Sequence, residues 1–354
     1  MSRARDLADL GGSADAGGIT GKNLIINGSM ICSQRGTSFT VTNEYGLDRW
    51  FCRENTDGAL TFSQDSESPA GFSKSQKVNV DTADTSLGIS QFAYLAQRIE
   101  GYVIEPLAFG SSDAKTITLS FYVRCSITGK FGGAVYNGSN NNRSYAFTYD
   151  VNSADTWERK TITITGDTTG TWNIDNTQEM TVLWSLGSGS SVKKAEGSWD
   201  ATASVLSATE ADTELLENAS ATWYITGVQL EVGEQATPFE HRSFGDELAR
   251  CQRYFQIIPS NSAAYSFPLV RHRSATNSYS GSSYYPVTMR TNATMTLDTS
   301  GSWIHKPNTR QDTGSATVVS SSPSVFTVVA TPSTNDSTQY LAFSNNNVEA
   351  DAEL

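Results

Sequence analysis

Three histidines, His241, His272 and His305, are the whole imidazole complement of the chain, and none stands four residues from another across an intervening glutamate, as a zinc-protease helix requires. The four cysteines, Cys32, Cys52, Cys125 and Cys251, show no CxxC spacing. They read mostly as buried thiols, with a Cys32–Cys52 bridge left open. No structural zinc and no cofactor is expected from this set. Gly187-Ser188-Gly189-Ser190-Ser191 has neither the GxSxG spacing of a nucleophile elbow nor the GxGxxG spacing of a dinucleotide loop. It reads as a solvated turn with Lys193, Lys194 and Glu196 on its far side. Glycoside hydrolysis needs only two carboxyl groups roughly 5 to 9 Å apart, so Glu100 with Glu105, or Asp81 with Asp84, are conceivable pairs. Such coincidences are expected by chance among 37 acidic residues, and solvated loop acids are the reading adopted. Asp81 and Asp84 also offer oxygen ligands for Ca²⁺, but DxxD matches no EF-hand loop. No catalytic residue and no metal site are therefore assigned, and the chain is read as non-enzymatic.

Aromatic residues set in polar stretches suggest binding instead. Residues 277–286 place Tyr279, Tyr284 and Tyr285 among serine, glycine and asparagine, a composition that adapts to polar ligands and offers flat apolar faces on which sugars stack. Just upstream, Arg271 and Arg273 flank His272 and would donate charge-assisted hydrogen bonds to acidic groups of a glycan. The competing reading packs these tyrosines under their own loops or at a subunit contact. Trp172 and Trp199, each beside turn residues, form a second candidate surface, with core packing as its alternative.

The elements that would position these residues are strands. Charged residues stop at 18% of the 354 positions, while 15 Phe, 14 Tyr and 7 Trp supply large buried area from few side chains. Apolar residues alternate with polar ones over 116–123, 161–165 and 181–186, as half-buried antiparallel strands require. In 116–123, Ile117, Leu119, Phe121 and Val123 face a core, and Thr116, Thr118, Ser120 and Tyr122 face outward. In 223–232 the apolar phase switches at Gly227, which predicts a bulge there. Residues 91–107 contain Gly101 and Pro106 and read as a strand through Arg98 followed by a short turn, whereas 244–250 lacks breakers and reads as a two-turn helical connector. Beyond Cys251, strands are expected at 254–258, 294–297, 316–319, 326–329 and 340–343. No fixed-period repeat or heptad run is present, so a long fibrous shaft is not expected.

These readings divide the chain into three parts: an arm or docking segment at 1–21, a β-domain at 22–244 and a smaller β-rich C-terminal domain at 245–354. Arg3, Arg5, Leu7 and Leu10 are the docking candidates in the arm, with a frayed terminus as the alternative. The first 21 residues hold no apolar run, and the longest aliphatic run nearby is Leu24-Ile25-Ile26. A secretory signal and membrane insertion are therefore not expected, and folding in a cytoplasm is. A net charge of −12 repels nucleic-acid phosphates, so a nucleic-acid partner is not expected either.

Two stretches carry a family likeness. Asn23-Leu24-Ile25-Ile26-Asn27-Gly28-Ser29-Met30, followed by Ser33-Gln34-Arg35-Gly36-Thr37-Ser38 and Tyr45-Gly46-Leu47-Asp48-Arg49-Trp50, resembles the opening of a carbohydrate-binding-module-like jelly roll found in bacteriophage tail fibre and minor virion structural proteins. Ile225 to Gly233, then Ala236-Thr237-Pro238-Phe239-Glu240-His241-Arg242, is similar to its closing strand and exit, and Glu247 to Phe255 to the link that follows. The resemblance implies an all-β, antiparallel jelly-roll sandwich, a homotrimer, and a place on the virion surface beside other tail or head proteins. It brings no ligand residues, because the matching motifs read as structural. The expected role is a short tail fibre or receptor-binding protein that attaches to host surface glycans. The alternatives are a head fibre, decoration protein or tail adaptor with a purely structural role and, further off, a capsule depolymerase.

Overall fold

Residues 117–125 form a strand because every second side chain there is apolar: Ile117, Leu119, Phe121, Val123 and Cys125 are all fully buried. The same logic runs through most of the described residues, where strands far outweigh helix. The computed structural model describes residues 21–40, 43–138, 143–201, 205–258, 270–271, 279–297, 304–306, 309–311, 314–332 and 348–354. The docking candidates Arg3, Arg5, Leu7 and Leu10, the candidate Arg273 and the expected strand at 340–343 lie outside the described residues. Two compact units emerge, Met1–Phe244 with Leu354, and Gly245–Glu353.

The first unit runs β1 (Ser38–Phe39), β2 (Asn43–Tyr45), β3 (Trp50–Asn55), β4 (Ala59–Asp65), β5 (Ser75–Thr82), β6 (Phe92–Glu100), α1 (Gly101–Ile104), β7 (Ile117–Cys125), β8 (Gly129–Asn137), β9 (Ser144–Val151) and β10 (Glu158–Ile164). It continues with β11 (Gln178–Ser188), β12 (Lys193–Lys194), β13 (Trp199–Asp200), β14 (Ser207–Ala208) and β15 (Thr222–Val232). One sheet has the order β1-β4-β5-β15-β7-β10 and the other β13-β9-β8-β11-β6-β3-β2. From β5 onward the chain passes repeatedly from one sheet to the other, which makes an all-β, antiparallel jelly-roll sandwich. Between the sheets Phe121 of β7 meets Trp184 of β11 edge-on at 5.4 Å, and Trp184 lies 5.8 Å from Trp50 of β3.

Gly227 has φ +62, and the β15–β7 register slips between Thr226 and Gln229, so the bulge lies where the apolar phase changes. A Cβ there would meet the Phe72 and Tyr122 rings. Thr118 and Ser120 do point away from the sandwich core, but they are buried rather than solvated. The Thr118 hydroxyl donates to the Gly233 carbonyl at 2.7 Å. Gly187 and Ser188 likewise correct the solvated-turn expectation: both are buried residues of β11, and the Ser188 amide donates to Glu214 Oε2 at 3.0 Å. All four cysteines are free, buried thiols, so Cys32 and Cys52 are not bridged.

Residues 22–34 form no strand yet join the two sheets at one end. The Leu24 amide donates to the Leu230 carbonyl of β15, while the amide and carbonyl of Ile26 pair with the side chain of Gln97 in β6. Asn27, with φ +57 and no exposure, donates through Nδ2 to the carbonyls of Cys32 and Asp48, accepts from the Cys32 amide, and its carbonyl receives the Trp50 indole N–H. Arg242 closes the end from the other side by donating to the carbonyls of Asn23 and Ile25. Burial holds the Asp48 carboxyl above the usual carboxylate range even though Gln34 donates to both of its oxygens and Arg35 lies 3.9 Å away.

In the second unit, α2 (Phe244–Gln252) carries Asp246 and Glu247 in its first turn and Arg250 in its last, as the helix dipole favours. Then come β16 (Phe255–Ile258), β17 (Val270–Arg271), β18 (Tyr279–Tyr284), β19 (Thr294–Leu297), β20 (Ile304–Lys306), β21 (Thr309–Gln311), β22 (Gly314–Ser322), β23 (Val325–Pro332) and β24 (Val348–Asp351). They form sheets β16-β24-β19, β17-β18-β23-β22 and β20-β21. A small core gathers Ile258, Tyr285, Met289, Phe326, Val328, Val348 and Ala350.

Asn27→Ala removes three buried side-chain hydrogen bonds at a left-handed position, and urea denaturation is expected to show a loss of about 3 kcal/mol or more. At the start of β10, burial alone would raise the Glu158 pKa. Hydrogen bonds from Lys160, the Ser153 amide and Asn152 outweigh that and pull it down to about 2. Its stabilising share is then present above pH 4.5 and lost as pH falls toward 2. Glu158→Gln is expected to be less stable than the parent at pH 7, with the gap closing in acid; a gap that persists unchanged at low pH would contradict this.

Candidate functional site

The polar stretch around Tyr279, Tyr284 and Tyr285 is not a loop. Serine and glycine leave room for pairing on both sides, and β18 takes β17 and β23 as neighbours, with Tyr279 opposite Arg271 and Tyr284 opposite Val325. Tyr284 is 78% exposed and keeps its ring available. Tyr285 is buried: its ring packs 5.2 Å from Phe326, its amide donates to the Ser324 carbonyl, and its hydroxyl reaches Met295 Sδ at 3.1 Å. The ligand role expected for Tyr285 is thus replaced by core packing, because the residue after β18 turns into the second unit's core. For Tyr279 and Arg271 the structure describes the backbone pairing alone.

Trp172 and Trp199, 27 positions apart in sequence, do come together, with ring centroids 5.7 Å apart and planes nearly perpendicular. Phe109 lies edge-on to both, and Tyr145 of β9 lies 5.6 Å from Trp199. Their indole nitrogens are committed, Trp172 to Asp167 at 3.2 Å and Trp199 to the Thr165 carbonyl at 2.6 Å. Burial would raise the Asp167 carboxyl, but the two-pronged contact with Arg143, at 2.8 and 2.6 Å, brings it below the ordinary range. Trp172 is buried and Trp199 half-buried, so this cluster closes an end of the core, and a ligand would reach only part of Trp199.

A surface that the sequence reading did not single out lies on the side of the β2-β3-β6-β11-β8 strands that faces away from the sandwich core. Pairing registers set three rows across it. Asn43, Arg53, Tyr94 and Ser185 form one, Tyr45, Phe51, Ala96, Leu183, Ala134 and Ala146 the second, and Arg98, Thr181, Tyr136 and Ser144 the third. Phe92 continues β6 beyond Tyr94, and the two rings stack at 5.8 Å. Guanidinium groups lie over these rings, Arg53 at 5.0 Å from Phe92, and Arg98 at 3.6 Å from Phe51 and 5.9 Å from Tyr45. At the β8–β9 end, Val192, Val205, Leu206 and Ala208 cover the alanines. At the other end Arg53 is exposed and Tyr45 and Phe92 are half-buried. Burial raises the Tyr136 hydroxyl to about 12 despite the opposing effects of Thr181, Arg98 and Arg53, so it serves as a neutral hydrogen-bonding group. The legible signal was the alternation in 92–98, where Phe92, Tyr94 and Arg98 occupy the non-core phase that solvent-facing strands usually fill with small polar side chains.

The acidic pairs considered for hydrolysis are engaged otherwise. Asp81 accepts from Thr61 and Asn79, Asp84 accepts from the amides of Asp57 and Ser86, and Glu100 is buried at the end of β6 while Glu105 opens the next turn. Among the described residues no three His, Cys, Asp or Glu side chains cluster as metal ligands. No helix there is long and apolar enough to cross a membrane.

No family profile matches the chain, and no curated protein matches it. Solved structures do. The enzymatically active domain of bacteriophage CBA120 tailspike protein 4 is 12% identical, with a TM-score of 0.32 over 60% of this chain and 22% of that one, so the chain spans about a fifth of the tailspike's length. A family 11 carbohydrate-binding module from Clostridium thermocellum, in complex with a mixed-linked tetrasaccharide, is 10% identical over 59% of this chain and 100% of that one, with a TM-score of 0.31. TmCBM61 in complex with β-1,4-galactotriose is 10% identical over 60% of this chain and all of that one, with a TM-score of 0.30.

The contrast between adjacent tyrosines is directly measurable. Tyr285→Ala is expected to destabilise the second unit by about 3 kcal/mol in thermal or urea unfolding, as emptied aromatic core sites do, and Tyr284→Ala to change it by less than about 0.5 kcal/mol.

Proposed function

We propose that this chain is a non-catalytic glycan-binding protein of a bacteriophage particle surface, a short tail fibre or receptor-binding protein that attaches to host glycans through the outward face of β3 and β6. The observation that carries the reading is the pair of half-buried rings Phe92 and Tyr45, with the exposed Arg53 over Phe92 and the buried rings of Phe51 and Tyr94 behind them, on the side of a sheet whose core needs are already met by the opposite side. Flat apolar faces bordered by fixed hydrogen-bond donors suit a sugar ring, which presents an apolar C–H face and hydroxyl edges. A place on the virion is supported by the opening and closing motifs at 23–50 and 225–242, and the homotrimer reading rests on the same resemblance. Several weak sites on one particle then act together, because linked sites raise avidity without new contacts. The engagement of Asp81 and Asp84 by neighbouring donors supports binding without turnover.

Phe92→Ala is the test. In a binding assay of the purified chain against oligosaccharides from host surfaces, affinity is expected to fall about tenfold, the equivalent of about 1.4 kcal/mol for a lost stacking platform. Circular dichroism should remain unchanged. Parent-like binding by a folded Phe92→Ala variant would remove this face from the reading.

A further inference from the structure

Resting on that reading, we infer that the glycan is anionic, carrying a carboxylate or phosphate on its sugar rings, and that Arg53 selects it. The chain holds 37 acidic residues against 25 Lys and Arg. Yet the three rows of outward positions described above contain two ionised side chains, Arg53 and Arg98, and no carboxylate. A patch of one sign on a protein of opposite net charge attracts ligands the rest of the surface repels. Arg53 is exposed, lies over Phe92, and forms no ion pair among the described residues. It is thus held by a ring face with its N–H edge left for a partner, the arrangement in which a guanidinium accepts a two-pronged oxygen anion.

Arg98 is already engaged on this face. Its Nη1 and the Tyr45 hydroxyl, at 3.0 Å, both donate to the main-chain oxygen of Leu354, which belongs to the first unit. A neutral sugar would need only the rings and hydroxyl-type donors. Arg53, which has no ion-pair partner among the described residues, would instead be left partly desolvated by a neutral ligand, which costs affinity. The face therefore discriminates by charge as well as by shape.

The experiment is a panel of neutral, uronate-bearing, sialate-bearing and phosphate-bearing oligosaccharides probed with the parent chain, Arg53→Ala, Arg53→Lys and Phe92→Ala at low and high salt. The expected result is selective binding of one or more anionic classes by the parent, weakened by salt. Arg53→Ala should lose about tenfold and Arg53→Lys keep part of the affinity, while the unmodified ring platform leaves weak neutral binding unchanged. The uronate, sialate and phosphate arms separate the two sources of charge. Equal binding of neutral and anionic classes, with Phe92→Ala impaired and Arg53→Ala not, would overturn the inference and leave the glycan-binding face standing. No binding to any class, or binding indifferent to Phe92→Ala, would overturn both.

Discussion

The two sheets are held in register at one end by a polar clasp whose central residue is Asn27. Residues 22–34 lie in irregular backbone between the last strand of one sheet and the middle of the other, so their N–H and C=O groups have no ladder to join and cannot be left bare in a buried place. Asn23 and Asn27 within the segment, Gln97 of β6 and Arg242 supply the missing partners from three parts of the chain. Everything that follows, including the angle at which β3 enters beside Trp50, depends on that accounting closing. Strong coupling of this kind has a cost: removing one partner leaves several buried groups unsatisfied at once.

From the clasp the logic runs to the outward face. Trp50 lies inward, which sends Phe51 and Arg53 outward by the two-residue period of the strand, and the β3–β6 register then puts Phe51 beside Ala96 and Arg53 beside Tyr94. A slip of one residue would exchange core and surface sets. The clasp that fixes the sandwich therefore also fixes which rings and guanidinium groups share a face. Small residues Ala96, Ala134 and Ala146 leave room for the covering segment near Leu206, and the larger rings stand where that cover ends.

Much of the fold was legible because strand periodicity is a local signal. The run Ile117-Thr118-Leu119-Ser120-Phe121 reads as a two-faced strand, and the phase change at Gly227 reads as a bulge, with no knowledge of partners. What sequence could not show was cover. Thr118 looks solvent-facing until Gly233 comes over its hydroxyl, and Gly187-Ser188 looks like a turn until Glu214 comes beside it. The candidate site failed to declare itself for a related reason. Tyr285 and Tyr284 are neighbours with identical side chains, and only the end of β18 decides that one enters a core and the other faces water. Phe92, Tyr94, Phe51 and Arg53 are spread over 44 positions and become a surface only through pairing between strands.

Hydrogen exchange measured by mass spectrometry, on the chain alone and saturated with an oligosaccharide it binds, tests the central claim most directly. The account predicts slowed exchange in peptides spanning 43–55 and 89–100 and little change at 279–286. Protection confined to 279–286, or appearing on the β4-β5-β15-β7 sheet, would place the ligand elsewhere and contradict it.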